Sequence, residues 1–129
     1  MKNIILDTNF LMIPAQFKVD IFSEIERIVN DKYQIYVLKG TIEELNKIIK
    51  EQKHKHKMAA KLALKLIKAK GLKILDINQK PVDKILTELS KEYIIATQDK
   101  ELKKEIKNKI ILRQKKYLVL QNVLYNRNQ

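Results

Sequence analysis

Apolar positions along the chain change their spacing repeatedly, and the changes mark out alternating strands and helices. Residues 3–6 form a short apolar run that stops at Asp7, as a buried strand does. Phe22, Ile25, Ile28 and Val29 repeat at helical spacing and predict an amphipathic helix over residues 18–30. Tyr33 to Leu38, rich in aromatic and branched residues, predicts a second strand. Thr41 then opens a helix with Ile42, Leu45, Ile48 and Ile49 on one side. A further helix carries Ala59, Leu62, Ala63, Leu66 and Ile67 in phase, and Gly71 is placed to end it. Leu72 to Ile77 is the third strand. Pro81 suits a first helical turn, with Val82, Ile85, Leu86 and Leu89 as the stripe behind it. Tyr93 to Thr97 is the fourth strand, residues 100–108 a short helix with Leu102 and Ile106 inward, and Ile110 to Leu112 the fifth strand. Tyr117 to Val123 is expected to be extended or mixed, and Asn126 to Gln129 loose.

Strands alternating with helices make a parallel sheet covered on both faces. Ligands of such sheets bind beyond the carboxyl ends of the strands, where the strand order reverses. The polar residues just after strands are therefore the ones to weigh. Asp7 ends strand one and Asp99 follows strand four. Glu44 and Asp83 lie in the first turns of the helices after strands two and three, which rise from the same edge. At about 100° per residue, Glu44 and Asp83 each border the apolar stripe of their helix, whereas Glu43 points almost away from it. Four acids from four separate segments thus meet on one rim.

Carboxylates gathered that closely repel one another unless a cation or a shifted protonation relieves them. Oxygen ligands with no cysteine and no nearby histidine suit Mg²⁺ or Mn²⁺ rather than Zn²⁺. Such an ion activates water, neutralises charge on a phosphate and aligns the scissile group. Each acid also has a purely local explanation. Thr41 and Glu44 fit a capping box, Asp83 favours a helix dipole, Asp99 suits an N-cap, and Asp7 can bond its own turn. Convergence on the ligand edge is what favours chemistry.

Charge adds a partner. The 129 residues carry 27 Lys and Arg against 15 Asp and Glu, a formal net charge of +12, with a pI near 9.8. That excess points to nucleic acid first and an anionic membrane surface second, a lysine-rich solubilising surface being the plain alternative. At 45% hydrophobic the chain has enough apolar residues for a core, and its length suits one domain over 1–129. The absence of cysteine excludes disulfides, thiolate zinc sites and cysteine nucleophiles. No apolar stretch approaches the ~20 residues of a membrane span. No secretory leader is evident, so a soluble, cytoplasmic protein is expected. His54 and His56 sit on a polar turn at a spacing that does not share a helix face. Asp76 reads as a turn residue. Lys103, Lys104, Lys107 and Lys109 form an exposed face able to track a phosphate backbone. With only Gly40 and Gly71, the chain has no phosphate-cradling loop.

Taken in order, these segments resemble the PIN-domain nucleases over almost the full length. Ile5, Leu6, Asp7, Thr8 and Asn9 look like that family's opening strand and first metal-binding aspartate. Glu44 and Leu45 look like its helix-borne glutamate, and Asp83 with Leu86 and Leu89 its third acidic position. Ala96, Thr97, Gln98 and Asp99, followed by Glu101, Leu102 and Lys103, are similar to its strand-four ending. The resemblance implies a three-layer α/β/α fold with a five-stranded parallel sheet ordered 3-2-1-4-5. It implies a Mg²⁺- or Mn²⁺-dependent endoribonuclease with Asp7, Asp83 and Asp99 as metal ligands. Glu44 would complete the site as a ligand or by holding the attacking water, and Asn9 and Thr97 would support the pocket, Thr97 through its hydroxyl. Lys103, Lys104 and Arg113 would contact nucleic acid. Many relatives carry a second acid beside the third position, where this chain has Lys84, which puts a two-ion site in question. The run from Asp99 to Leu120 looks more like the archaeal and eukaryotic ribosomal-RNA-processing branch than the toxin branch. The implied partners are ribosomal RNA or its precursor and, by analogy, a second copy in a homodimer. An antitoxin is expected only if the protein is a toxin. The rivals are a non-catalytic RNA-binding ribosome-assembly factor on the same scaffold and, on charge alone, a membrane-surface or DNA architectural protein.

Overall fold

The structure, a computed structural model, describes residues 1–51 and 53–122. Its elements run β1 (Lys2–Leu6), α1 (Thr8–Leu11), α2 (Ile13–Phe17), α3 (Ile21–Ile28), β2 (Tyr33–Leu38), α4 (Lys39–Glu51) and α5 (His54–Ala69). They continue as β3 (Lys73–Leu75), α6 (Val82–Leu89), β4 (Ile94–Ala96), α7 (Lys100–Glu105), β5 (Asn108–Arg113) and β6 (Tyr117–Asn122). Strands lie in the order β3-β2-β1-β4-β5-β6. The first five are parallel in the expected order, and β6 adds an antiparallel edge to β5, so the sheet has six strands rather than five. Of the final segment and the loose tail expected at Asn126 to Gln129, Val123 onward lies outside the described residues.

Side chains alternate across this sheet and divide the core in two. Ile4, Leu6, Ile35, Val37, Ala96 and Ile110 face the layer built by α1 to α5, with Phe10, Ile25, Leu45 and Ala63. Ile5, Leu38 and Ile95 face the thinner layer of α6 and α7, meeting Ile85, Leu86, Leu102 and Ile106. The two layers meet the sheet around β1 and β4, where the strand order reverses, and Leu6 pairs there with Ala96.

Several local signals explain the boundaries. Lys70 caps α5 and Gly71 follows at φ +61°. The Gly71 N–H bonds Lys68 O and the Leu72 N–H bonds Ile67 O, the paired hydrogen bonds by which a left-handed glycine closes a helix. Pro81 is the N-cap of α6 rather than inside it. Two expectations need correction. The helix expected to open at Thr41 begins at Lys39, so Thr41 lies inside its first turn. Its hydroxyl is buried and, among the described residues, has no hydrogen-bond partner. His54 and His56 lie in the first turn of α5, not in a turn between helices. Two short helices, α1 and α2, occupy residues 8–17, too short to show a helical period. Among the described residues no helix is long and apolar enough to cross a membrane.

An edge strand such as β6 invites unwanted pairing. Here α3 covers it. Glu24 Oε1 accepts the Leu118 N–H at 3.0 Å and Arg27 Nη2 donates to Leu118 O at 3.1 Å.

Candidate functional site

An open cleft of about 560 Å³ lies at the carboxyl edge of the sheet, and Asp7, Glu44, Asp83 and Asp99 all line it. Each reaches the rim from a different element. Asp7 follows β1 and is the N-cap of α1, Glu44 rises on α4, Asp83 opens α6, and Asp99 is the N-cap of α7. Thr8, Asn9, Met12, Lys47 and Glu51 complete much of the wall.

Asp7 is the buried member, at 8% exposure. Its N–H bonds Ala96 O at 2.9 Å, so the reversal point itself sets its backbone. Its Oδ2 accepts the Thr97 hydroxyl at 2.7 Å and its Oδ1 accepts the Thr8 N–H at 2.7 Å. The Thr97 Oγ1 also accepts the Asp99 N–H at 3.0 Å, joining the ends of β1 and β4 through one hydroxyl. Burial holds the Asp7 carboxyl above the ordinary carboxylate value. The bonds from Thr97 and Thr8 oppose that shift, while the negative charges of Glu44 and Asp99 add to it.

The other three acids are exposed. Glu44 does not close a capping box with Thr41. Instead its carboxylate accepts the Thr8 hydroxyl, so Thr8 serves Asp7 through its backbone and Glu44 through its side chain. Asp99 Oδ1 accepts the Leu102 N–H at 3.0 Å, and Asp83 Oδ1 accepts the Lys84 N–H at 2.9 Å. Asn9 ties the two strand ends together, its Oδ1 accepting the Gln98 N–H at 3.3 Å and its carbonyl accepting Gln98 Nε2 at 2.8 Å.

The wall behind Asp83 depends on a close approach. A Cβ at Gly40 would lie 2.8 Å from Val82 Cγ2, so only glycine lets α6 pack this tightly on the start of α4. Asp83 is carried by the residue next to that contact.

A cation suits this donor chemistry. The set is all oxygen, and the negative charges of Glu44 and Asp99 add to the upward shift that burial gives Asp7. Among the described residues, though, no three acidic or imidazole side chains stand together as a finished metal cage. The acids line an open cleft, and three of them, Asp7, Asp83 and Asp99, accept an N–H of their own helix.

Lys103, Lys104 and Arg113 lie elsewhere. With Lys100 and Lys109 they line a separate depression between α7 and β5. Lys109 is buried there and donates to Lys103 O at 2.6 Å and Ile106 O at 3.0 Å, closing the end of α7. Asp76, read as a turn residue, is exposed and lies 3.6 Å from Lys39 Nζ. Sequence reasoning overlooked Thr8 as a link and Lys47 as a cation on the acidic wall. Thr8 stood beside Asp7 in plain view, but its second partner is remote in sequence.

Comparison with known proteins agrees with this architecture. The sequence model of the PIN-like domain matches residues 4–115. The chain is 39% identical over 126 residues to Ribonuclease VapC4 of Methanocaldococcus jannaschii, covering 91% of this chain and 95% of that protein. Its fold is similar to the structure of the PIN domain endonuclease Utp24, with a TM-score of 0.74 and 20% identity over 95% of this chain and 92% of that one. The chain belongs to the PIN-like domain family.

Proposed function

We propose that the chain is one PIN-like nuclease domain, a divalent-metal-dependent endoribonuclease that hydrolyses RNA phosphodiester bonds in its acidic cleft. The observation that carries this reading is Asp7. It is a buried carboxylate at the reversal point, fixed by two hydrogen bonds and burdened by the charges of Glu44 and Asp99, in a chain of net charge +12. Likeness to a protein named a ribonuclease supports RNA as the substrate class.

Asp7, Asp83, Asp99 and Glu44 would hold Mg²⁺ or Mn²⁺, as PIN-domain nucleases generally use divalent metal ions. When bound, such an ion would neutralise charge on the phosphate and lower the pKa of the attacking water. The remaining work falls to the protein. Thr97 and Thr8 fix the direction of both Asp7 oxygens, which keeps the site preorganised. Glu44, whose carboxylate accepts the Thr8 hydroxyl and faces solvent, would either complete the ligand set or hold the attacking water. Lys47 lies on the same wall to meet a phosphate of the strand. The basic surface collects RNA and the cleft cuts it.

The cellular role proposed is ribosomal-RNA processing or RNA turnover. A toxin with a partner antitoxin would use the same cleft, and an antitoxin frame beside this one would favour it. Incubating structured RNA with the protein in EDTA, Mg²⁺ or Mn²⁺, alongside Asp7→Asn, tests the activity. Metal-dependent cutting that the substitution abolishes is expected. Binding without cutting, and no divalent binding that depends on the acids, would leave the assembly-factor reading.

A further inference from the structure

Residues 53–70 hold seven lysines, two histidines and no acid, and α5 makes up most of that stretch. By contrast α7 mixes its lysines with Glu101 and Glu105, and the ammonium of Lys109 is committed to main-chain carbonyls. A solubilising helix usually alternates signs along its surface. One with a single sign carries a field that needs an anionic partner or simply repels itself.

The exposed face of α5 has a definite shape. Lys55, Met58, Lys61, Leu62 and Lys65 recur at helical spacing and, with Ala15 and Gln16 of α2, line a groove of about 620 Å³. Its floor is unusually apolar for a surface, since Met58 is 49% and Leu62 37% exposed. Lys55 to Lys65 spans about 15 Å of helix. Lysines along the rim can meet phosphates, and the apolar side chains of the floor can meet base faces by van der Waals contact rather than ring stacking.

Position decides which anion fits. The groove begins where the acidic cleft ends. Met12 lines the cleft, and Ala15 and Gln16 of the following turns line the groove. On the other wall Glu51 closes the cleft, and α5 starts three residues later at His54. The first turn of α5 holds no acid and no side chain caps it, so its dipole also favours an anion at that junction. A strand leaving the cleft past Met12 and Glu51 would meet the lysine rim next. An acidic protein segment would match the charge, but two exposed apolar residues give a partner helix too few anchors.

We infer that the α2–α5 groove is an RNA exosite that holds the single strand flanking the scissile bond, Lys55, Lys61 and Lys65 pairing with phosphates and Met58 and Leu62 lying under bases. This deepens the nuclease reading and rests on it for the choice of RNA.

The test is binding of a short labelled oligouridine in EDTA, where no cutting intervenes, followed by fluorescence anisotropy over a range of salt. The variant is Lys55→Glu with Lys61→Glu and Lys65→Glu. A charge-matched control changes Lys32, Lys91 and Lys107 to Glu, exposed residues at the opposite, amino-terminal edge of the sheet. The groove variant should bind at least about tenfold more weakly, with the slope of log K against log salt flatter by about two. The control should lose far less. Met58→Ala with Leu62→Ala should weaken binding several-fold without changing the salt slope. Glutamine replacements at the same lysines serve if the glutamate variant does not fold. Equal losses in the groove and control variants would overturn the exosite, as would parent-like binding by the groove variant. Loss of poly-glutamate binding with RNA binding intact would overturn it in favour of a protein partner. RNA that is held in the groove but never cut with any divalent ion would sink the nuclease reading and leave the groove standing.

Discussion

The two sides of the acidic cleft hold their carboxylates in different ways. Where β1 meets β4, Asp7 is buried and both of its oxygens are taken, and Thr8 links it to Glu44. Across the cleft Asp83 and Asp99 stand in solvent, each accepting a main-chain N–H of its own helix. A carboxylate fixed inside the fold loses its water, which favours its protonated form, and it cannot turn away from added charge. A solvated one pivots and is screened by water. The buried side is therefore built in advance and carries the strain, and the exposed side adjusts to whatever enters. Identical residue types have acquired different duties from their surroundings.

The largest test compares the two sides directly. Asp7→Asn should lower metal-dependent cleavage by roughly 10³-fold, whereas Asp83→Asn should cost about tenfold. Equal losses in kcat/KM would erase the distinction. Next comes the hydroxyl that joins the sides. Thr97→Val keeps the shape but removes the donor to Asp7 Oδ2 and the acceptor of the Asp99 N–H. It should weaken divalent affinity by about 10- to 100-fold, as loss of a supporting partner does, read by calorimetric titration. Unchanged affinity would mean that Asp7 needs no such support.

A pH experiment isolates the buried carboxyl. Its folded value lies above the ordinary one, chiefly through burial. The folded state therefore holds that proton more tightly than the unfolded state, and the contribution is lost as pH rises from the ordinary carboxylate value through the folded one. Without divalent ions, Asp7→Asn should match the parent's Tm in acid and exceed it near neutrality. The gap should be a few degrees, the size that about 1 kcal/mol produces in a domain of this length. A difference that stays flat with pH would show that Asp7 carries no such strain. The smallest effect is expected at Gly40→Ala. The new methyl would press on Val82 and push α6 outward with Asp83. Overpacking of about 1–2 kcal/mol, partly offset by alanine's helix propensity, should accompany a few-fold rise in KM. A change in kcat alone would place Asp83 closer to the chemistry than its exposure suggests.

Much of this fold was written in the spacing of apolar residues. Ile4 and Leu6 face one layer and Ile5 the other, so β1 was visible as a continuous apolar run. The Gly71 stop and the helix behind Pro81 were equally plain. The β5–β6 hairpin was not. Its turn places Gln114 at φ +53° and Lys115 at φ +57°, with the Lys116 N–H bonding Arg113 O at 3.0 Å. Such turns usually advertise themselves with asparagine and glycine, and here two ordinary residues accept the left-handed region at a cost of about 1–2 kcal/mol each. The matched family region ends at residue 115, inside this turn.

The four acids of the rim were legible for the same reason as the strands: a parallel sheet delivers whatever follows each strand to one edge. The layer architecture, the carboxyl ligand edge and the candidates Asp7, Glu44, Asp83 and Asp99 were therefore read from the residues, and the strand order came with the family resemblance. Which acid is buried, which threonine holds it, and how near α6 stands to α4 were decided only by tertiary packing. The physical reason is distance along the chain. Thr97 meets Asp7 across 90 positions and Thr8 meets Glu44 across 36, and no local periodicity encodes a hydrogen bond between residues so far apart.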